Sequence, residues 1–202
     1  ILKLNAATGA LVASSEAINR PACLAVSSAQ RELYTVSFRT GEVVTLDFDC
    51  RLIRRLEAPS RLNQCRTLTV APDGLLYAPQ TRADTVVGGQ TFDRTVFPVI
   101  AVADPQDTSV KLRFFPDLLV VPPHRPVEVA VGEHTLYLAS AGSDDVLAID
   151  TETGFAKWHA QRVGLEPGAI VLDASGRRLF LLTIAGQEFV TLDSATGNVL
   201  GR

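Results

Sequence analysis

The chain has 202 residues, 47% hydrophobic and 20% charged, with a formal net charge of -3. That balance reads as globular, argues against disorder, and gives no electrostatic reason to expect nucleic acid or an anionic membrane as partner. No run approaches the roughly 18–20 apolar residues of a spanning helix, and three cysteines without a Cys-x-x-Cys spacing argue against c-type haem attachment or a metal cluster within this segment.

In chain order, Ile1 to Asn5 reads as a strand, followed by the turn Ala6–Gly9 and the apolar run Ala10–Ala13. This is the back half of a four-strand unit (residues 1–16). A full unit follows over 19–58, led by Pro21, with strands at Leu24–Val26, Leu33–Ser37, Val43–Asp47 and Leu52–Leu56. The next, over 63–121, starts at Cys65 and has strands at Leu68–Val70, Leu75–Tyr77, Val99–Asp104 and Val110–Phe114. An insertion over 79–96 interrupts it. The third unit (124–163) has strands at Pro126–Val131, Leu136–Ser140, Val146–Asp150 and Phe155–Trp158. The fourth (165–202) repeats this order from Pro167 to a last strand starting at Asn198. The chain contains no Met and opens in what reads as mid-strand, so it is expected to be part of a longer polypeptide.

Pro126 and Pro167 lie 41 residues apart, and Gly154 and Gly197 lie 43 apart. A period near 40 residues, four strands per period and no helical periodicity predict an all-β, incomplete β-propeller. It would have about four and a half four-stranded antiparallel blades and be a fragment of a longer, seven-bladed ring. Thr-Gly at 8–9, 153–154 and 196–197 places glycine where a short hairpin needs positive φ. Asp150 and Asp193 precede two of these turns and read as turn stabilisers.

These residues resemble a known family. The run from Arg125 through Pro126-Val-Glu-Val-Ala-Val131 and Leu136-Tyr-Leu to Val146-Leu-Ala-Ile-Asp150 and Thr153-Gly154 is similar to the blade of the YVTN-repeat, lactonase-like (WD40-like) propellers. Phe92 to Asp104 looks most like the cytochrome-associated group of that family. The resemblance implies a propeller used as a binding scaffold, an extracytoplasmic location, and no cofactor in this segment, any haem belonging to an unseen domain. It also admits a lactone hydrolase. A second resemblance runs through Ala148, Asp150, Thr153, Gly154 and Trp158. Their spacing matches the tryptophan-docking motif of quinoprotein-type and outer-membrane-assembly propellers. It occurs once, so a lone strand-packing Trp is the expected reading.

Alternating strand directions put the loops leading into each first strand on the same rim as the loops between second and third strands. This first rim carries Arg20, His124, Arg125 and Glu166 from the leading loops, and Arg39, Asp144 and Gln187 from the others. The insertion adds Arg82, Asp84, Asp93 and Arg94, and an extra loop on a repeat scaffold often carries function. Arg20 and Arg125 occupy equivalent places before Pro and could aim carboxylate-binding forks at the central opening. Together these eleven residues are the expected partner- or ligand-binding rim. The expected partner is a protein or the remainder of the same polypeptide, including a redox domain. No metal spacing joins His124, His134 and His159, which read as exposed surface groups. No Ser/His/Asp nucleophile arrangement can be picked out. Cys23 and Cys65 read as buried hydrophobes, and a Cys50–Cys65 disulfide is left open. No catalytic residue is assigned.

Overall fold

The computed structural model describes residues 1–59, 62–83, 96–114 and 123–202, and every regular element among them is a strand. β1 (Leu2–Leu4) and β2 (Leu11–Ser14) form a two-stranded sheet. The first full blade is β3 (Ala25–Ser27), β4 (Glu32–Val36), β5 (Val43–Asp47) and β6 (Leu52–Leu56), paired antiparallel in sequence order. In the second, β7 (Leu62–Asn63) and β8 (Thr69–Val70) both pair with β9 (Leu76–Ala83). Then come β10 (Val96–Ala103) and β11 (Val110–Phe114). The third is β12 (Pro126–Val131), β13 (Thr135–Ser140), β14 (Asp145–Asp150) and β15 (Ala156–Ala160). The fourth is β16 (Pro167–Leu172), β17 (Arg178–Thr183), β18 (Glu188–Asp193) and β19 (Val199–Gly201). First strands of successive blades lie against one another: β3 on β8, β8 on β12, β12 on β16. That places them innermost, and the architecture is the propeller of about four and a half blades that the repeat predicts.

The alternation of side chains along each strand builds the stack. In the third blade, Leu136, Leu138, Leu147 and Ile149 face backward onto Tyr77 and Ile100 of the second. Tyr137, Ala139, Val146 and Ala148 face forward onto Ile170, Leu179, Leu181, Val190 and Leu192 of the fourth. Strands covered on both faces lose the apolar–polar alternation of a half-solvated sheet, so β14 is buried from Asp145 to Ile149. Each fully buried Leu or Ile contributes about 1.5–3 kcal/mol relative to exposure.

The outer faces at both ends of the stack are apolar and open. Val171, Leu182 and Phe189 are 60%, 51% and 57% exposed, whereas their counterparts one blade earlier, Ala130, Ala139 and Val146, are 6%, 0% and 0%. At the other end, Leu24, Val26 and Leu33 join Ile1 and Leu2 around an apolar cavity of about 290 Å3.

Three sequence expectations are corrected, and one open question is answered. The stretch Pro79–Ala83, read as inserted loop, is strand, because β9 and β10 continue their ladder out to Ala83↔Val96. His159 is not a free surface histidine but pairs with buried Asp145. Cys50 and Cys65, whose pairing the sequence leaves open, are both buried free thiols. Trp158 does more than pack within its strand. Its indole Nε1 donates to the Ser194 carbonyl of the next blade at 3.0 Å. The ring covers Gly197, where a Cβ would stand 2.6 Å from Cε3.

The second rim is closed by turns that satisfy themselves. Asp150 Oδ1 accepts from the Thr153 amide (2.8 Å), the Thr153 hydroxyl (3.0 Å) and the Glu152 amide (3.0 Å). Asp193 repeats this with Thr196 and Ala195, and Asn5 accepts from the amides of Ala7 and Thr8. Gly154 and Gly197 both have φ +75° at the turn's end. The amide and hydroxyl of Thr153, aided by Lys157, hold the Asp150 carboxyl down to about 2. Its folded pKa lies below the ordinary carboxylate value near 3.9. The turn's contribution is therefore complete above about pH 4 and is lost as pH falls through 2. Carboxyl NMR titration should give a midpoint near 2 for Asp150, and Asp150→Asn should flatten the acid limb of the stability curve. A midpoint near 4 would contradict the turn geometry.

Candidate functional site

The first rim is assembled as the strand directions predict. In the first, third and fourth full blades the loop leading into the first strand is bonded to the loop between second and third strands. The Arg20 carbonyl accepts from Phe38 N–H (3.0 Å), His124 from Gly142 (2.9 Å), Arg125 from Ala141 (3.0 Å) and Glu166 from Ile184 (2.9 Å). Arg20, Arg125 and Glu166 are equivalent and all left-handed, with φ of 50°, 52° and 57°. Asp144 and Gln187 are also left-handed, at 58° and 53°, where the first blade has Gly41 at 69°. A side chain in that region costs roughly 1–2 kcal/mol over glycine. The cost falls on five of the eleven rim residues expected from sequence.

Some of these side chains are committed to structure. The Arg125 guanidinium pairs with Glu166 across the third and fourth blades, so it does not offer a free fork to the opening. Asp144 Oδ1 accepts from the Glu166 amide at 2.7 Å, and Ser143 Oγ accepts from His124 N–H at 2.8 Å. Asp144 also lines a cleft of about 620 Å3 with Arg162, Gly164, Leu165 and the Glu188–Arg202 pair (2.6 Å). Arg20 lines a smaller cavity between the first and second full blades, and Arg39 and Gln187 are exposed. Arg82 is carried on β9, with its backbone opposite Leu62 and Phe97. Asp84, Asp93 and Arg94 lie outside the described residues.

The innermost strands hold a second cluster that sequence reasoning missed. Glu128 on β12 is half-buried between the hydroxyls of Thr67 and Thr69, and burial raises its carboxyl above the usual range despite those bonds. Each hydroxyl has a single proton, and the Val127 and Val129 carbonyls, at 2.8 and 3.0 Å, compete with Glu128 for it. Cys23 and Cys65 stand close enough to feel the Glu128 charge. Burial pushes the Cys23 thiol up to about 11 and the Cys65 thiol well above its ordinary value, so both are inert as nucleophiles. The signal was present in sequence: an acid inside the apolar run of a first strand.

His159 Nε2 meets Asp145 Oδ2 at 2.9 Å, and Ser140 stands directly opposite Asp145 across β13 and β14. This is no nucleophilic triad. His159 lies on β15, two strand spacings or roughly 9–10 Å from β13, and the Ser140 hydroxyl has no partner. Among the described residues no group of three His, Cys, Asp or Glu is arranged to hold a metal ion. Among the described residues no helix is long and apolar enough to cross a membrane.

No protein-family model and no curated protein matches the chain in sequence. Solved structures do match in shape. The hydrazine synthase of Kuenenia stuttgartiensis aligns with a TM-score of 0.82 at 13% identity, over 95% of this chain and 64% of that one. A nidogen/laminin complex aligns at 0.69 and 15%, over 95% and 65%. A gluconolactonase from Xanthomonas campestris aligns at 0.66 and 20%, over 96% and 64%. The chain thus spans just under two thirds of the length of each, and at these identities the likeness establishes the propeller fold alone.

Proposed function

We propose that the chain is a propeller scaffold that docks a protein partner on its first rim, the partner being a separate protein or a redox, cytochrome-like domain of the same polypeptide. The observation that carries this is the contrast between rims. The second is closed by self-satisfied Asp-Thr-Gly turns. The first presents charged and polar side chains on backbone positions where glycine would cost less. One of the similar structures is a nidogen/laminin complex, which is consistent with a propeller that works by assembly. The YVTN-like blade supports an extracytoplasmic setting, with any haem on another domain. In the intact protein, replacing Arg20, Arg39, His124 and Gln187 together by Ala should weaken capture of the partner at least tenfold, as loss of interface anchors does. Replacing Glu133, Glu152 and Ser175 on the second rim should leave it unchanged. Equal losses from both rims would remove the proposal.

A second reading is lactone hydrolysis, favoured by the half-buried Glu128 at the innermost strands and by the fold-level likeness to a gluconolactonase. Burial that raises a carboxyl favours its protonated form, the form that can give a proton as a general acid. The intact protein should then turn over sugar lactones, and Glu128→Gln should lose about 100-fold or more in kcat. Absence of turnover by the unsubstituted protein disposes of this reading.

A further inference from the structure

On the first rim, between the first and second full blades, Arg20, Pro21, Ala22, Phe38 and Arg66 line a cavity of about 340 Å3. That is within the size range of small-ligand clefts. Neither Arg20 nor Arg66 has a carboxylate partner or any other ion pair among the described residues. Among the described residues three other arginines are paired with carboxylates, Arg55 with Glu42, Arg125 with Glu166 and Arg202 with Glu188; what sets Arg20 and Arg66 apart is that they line one cavity together. Two unpaired cations facing one cavity repel each other unless an anion shares the space.

The geometry prepares both groups. The Arg66 guanidinium lies over the Phe38 ring, 5.4 Å from its centroid. Its face is thereby engaged while its in-plane N–H edge stays open, the edge that grips a planar oxyanion. Arg20 springs from a fixed point: its φ is +50°, its carbonyl holds the Phe38 amide, and Pro21 is bridged to Ser37. Pro21 and Ala22 supply apolar wall.

We propose that this cavity binds the oxyanion group, carboxylate or phosphate, of a small molecule whose flat apolar part lies against Phe38 and Pro21. The site stands independently of partner docking. Calorimetric titration of the intact protein with benzoate and with phenyl phosphate at low salt tests it, with benzyl alcohol as the neutral probe. Saturable one-to-one binding of either anion is expected, and the stronger of the two identifies the oxyanion. Benzyl alcohol should bind at least tenfold more weakly. Arg20→Ala and Arg66→Ala should each weaken the anion at least tenfold. Arg31→Ala removes a matched guanidinium stacked on Phe48, also at 5.4 Å, and should change nothing. Should Arg20→Ala fail to fold, Arg66→Lys serves in its place, since it keeps the charge but loses the planar edge. Absence of saturation by about 10 mM, or binding indifferent to Arg66, overturns the proposal.

Discussion

Trp158→Ala should lower the unfolding free energy by about 3 kcal/mol, the low end of the range for aromatic truncation because the ring is half-buried. The ring does three things at once. It touches Tyr137 of its own blade with centroids 5.9 Å apart, donates to Ser194 O, and roofs the Gly197 turn of the next blade. Its loss therefore removes a contact between blades, and apolar cores between blades are what this architecture is made of. Gly197→Ala is the complementary probe. A Cβ there would meet Cε3 at 2.6 Å and two further ring atoms at 3.0 Å, at a backbone φ of +75°. In the native background both the clash and the left-handed strain apply. In the Trp158→Ala background only the strain survives, about 1 kcal/mol. The two substitutions should thus be less damaging together than their sum, measured as urea midpoints of the four proteins. Trp158 is the chain's single tryptophan, so its emission should shift to the red in Gly197→Ala as the ring is levered off. Strict additivity with unmoved emission would refute the docking contact.

What could be seen in the sequence was whatever repeats locally. Pro126 and Pro167, the Thr-Gly turns and the apolar runs are near-neighbour patterns, and they determine strand number, strand order and which loops share a rim. The Asp150 and Asp193 turns were legible for the same reason, since their partners lie two and three residues away. Contacts between blades were not legible. Ser194 is 36 residues from Trp158, and nothing local says that its carbonyl is free to receive an indole. Arg125 illustrates the same limit. Its equivalence to Arg20 was readable, but Glu166, 41 residues on, claims it, while Arg20 stays unpaired. Pro79–Ala83 was misread because proline and polar residues argue against a strand. The structure tolerates them where β9 has partners on both sides, with Gln80 fully buried. Glu128 shows in the sequence as an acid inside an apolar run, whereas the Thr67 and Thr69 hydroxyls beside it come from the preceding blade and are not legible there.

The pairing of Asp145 with His159 recurs around the stack and yields the second large effect. In three of the four full blades an acid at or just before the start of the third strand pairs with a base on the fourth strand or just past its end. The pairs are Glu42 with Arg55 at 2.8 Å, Asp145 with His159 at 2.9 Å, and Glu188 with Arg202 at 2.6 Å. The members differ in burial. The Glu42 and Glu188 side chains are 28% and 42% exposed, and that of Asp145 is 1% exposed, with its second oxygen lacking any partner. Solvent can stand in for a lost arginine in the first and fourth blades, where pairs of this exposure contribute at most about 1 kcal/mol. It cannot do so at Asp145. His159→Ala should therefore cost about 3 kcal/mol by leaving a buried carboxylate uncompensated, whereas Arg55→Ala should cost under about 1. His159→Arg should retain most of the stability, since the first and fourth blades hold an arginine at that place. Removing both partners, as Asp145→Ala with His159→Ala, should recover part of the loss, because no charge is then stranded. The ranking rests on burial, not on charge type. It fails if His159→Ala and Arg55→Ala prove equally mild, or if the double variant is as unstable as the sum of its parts.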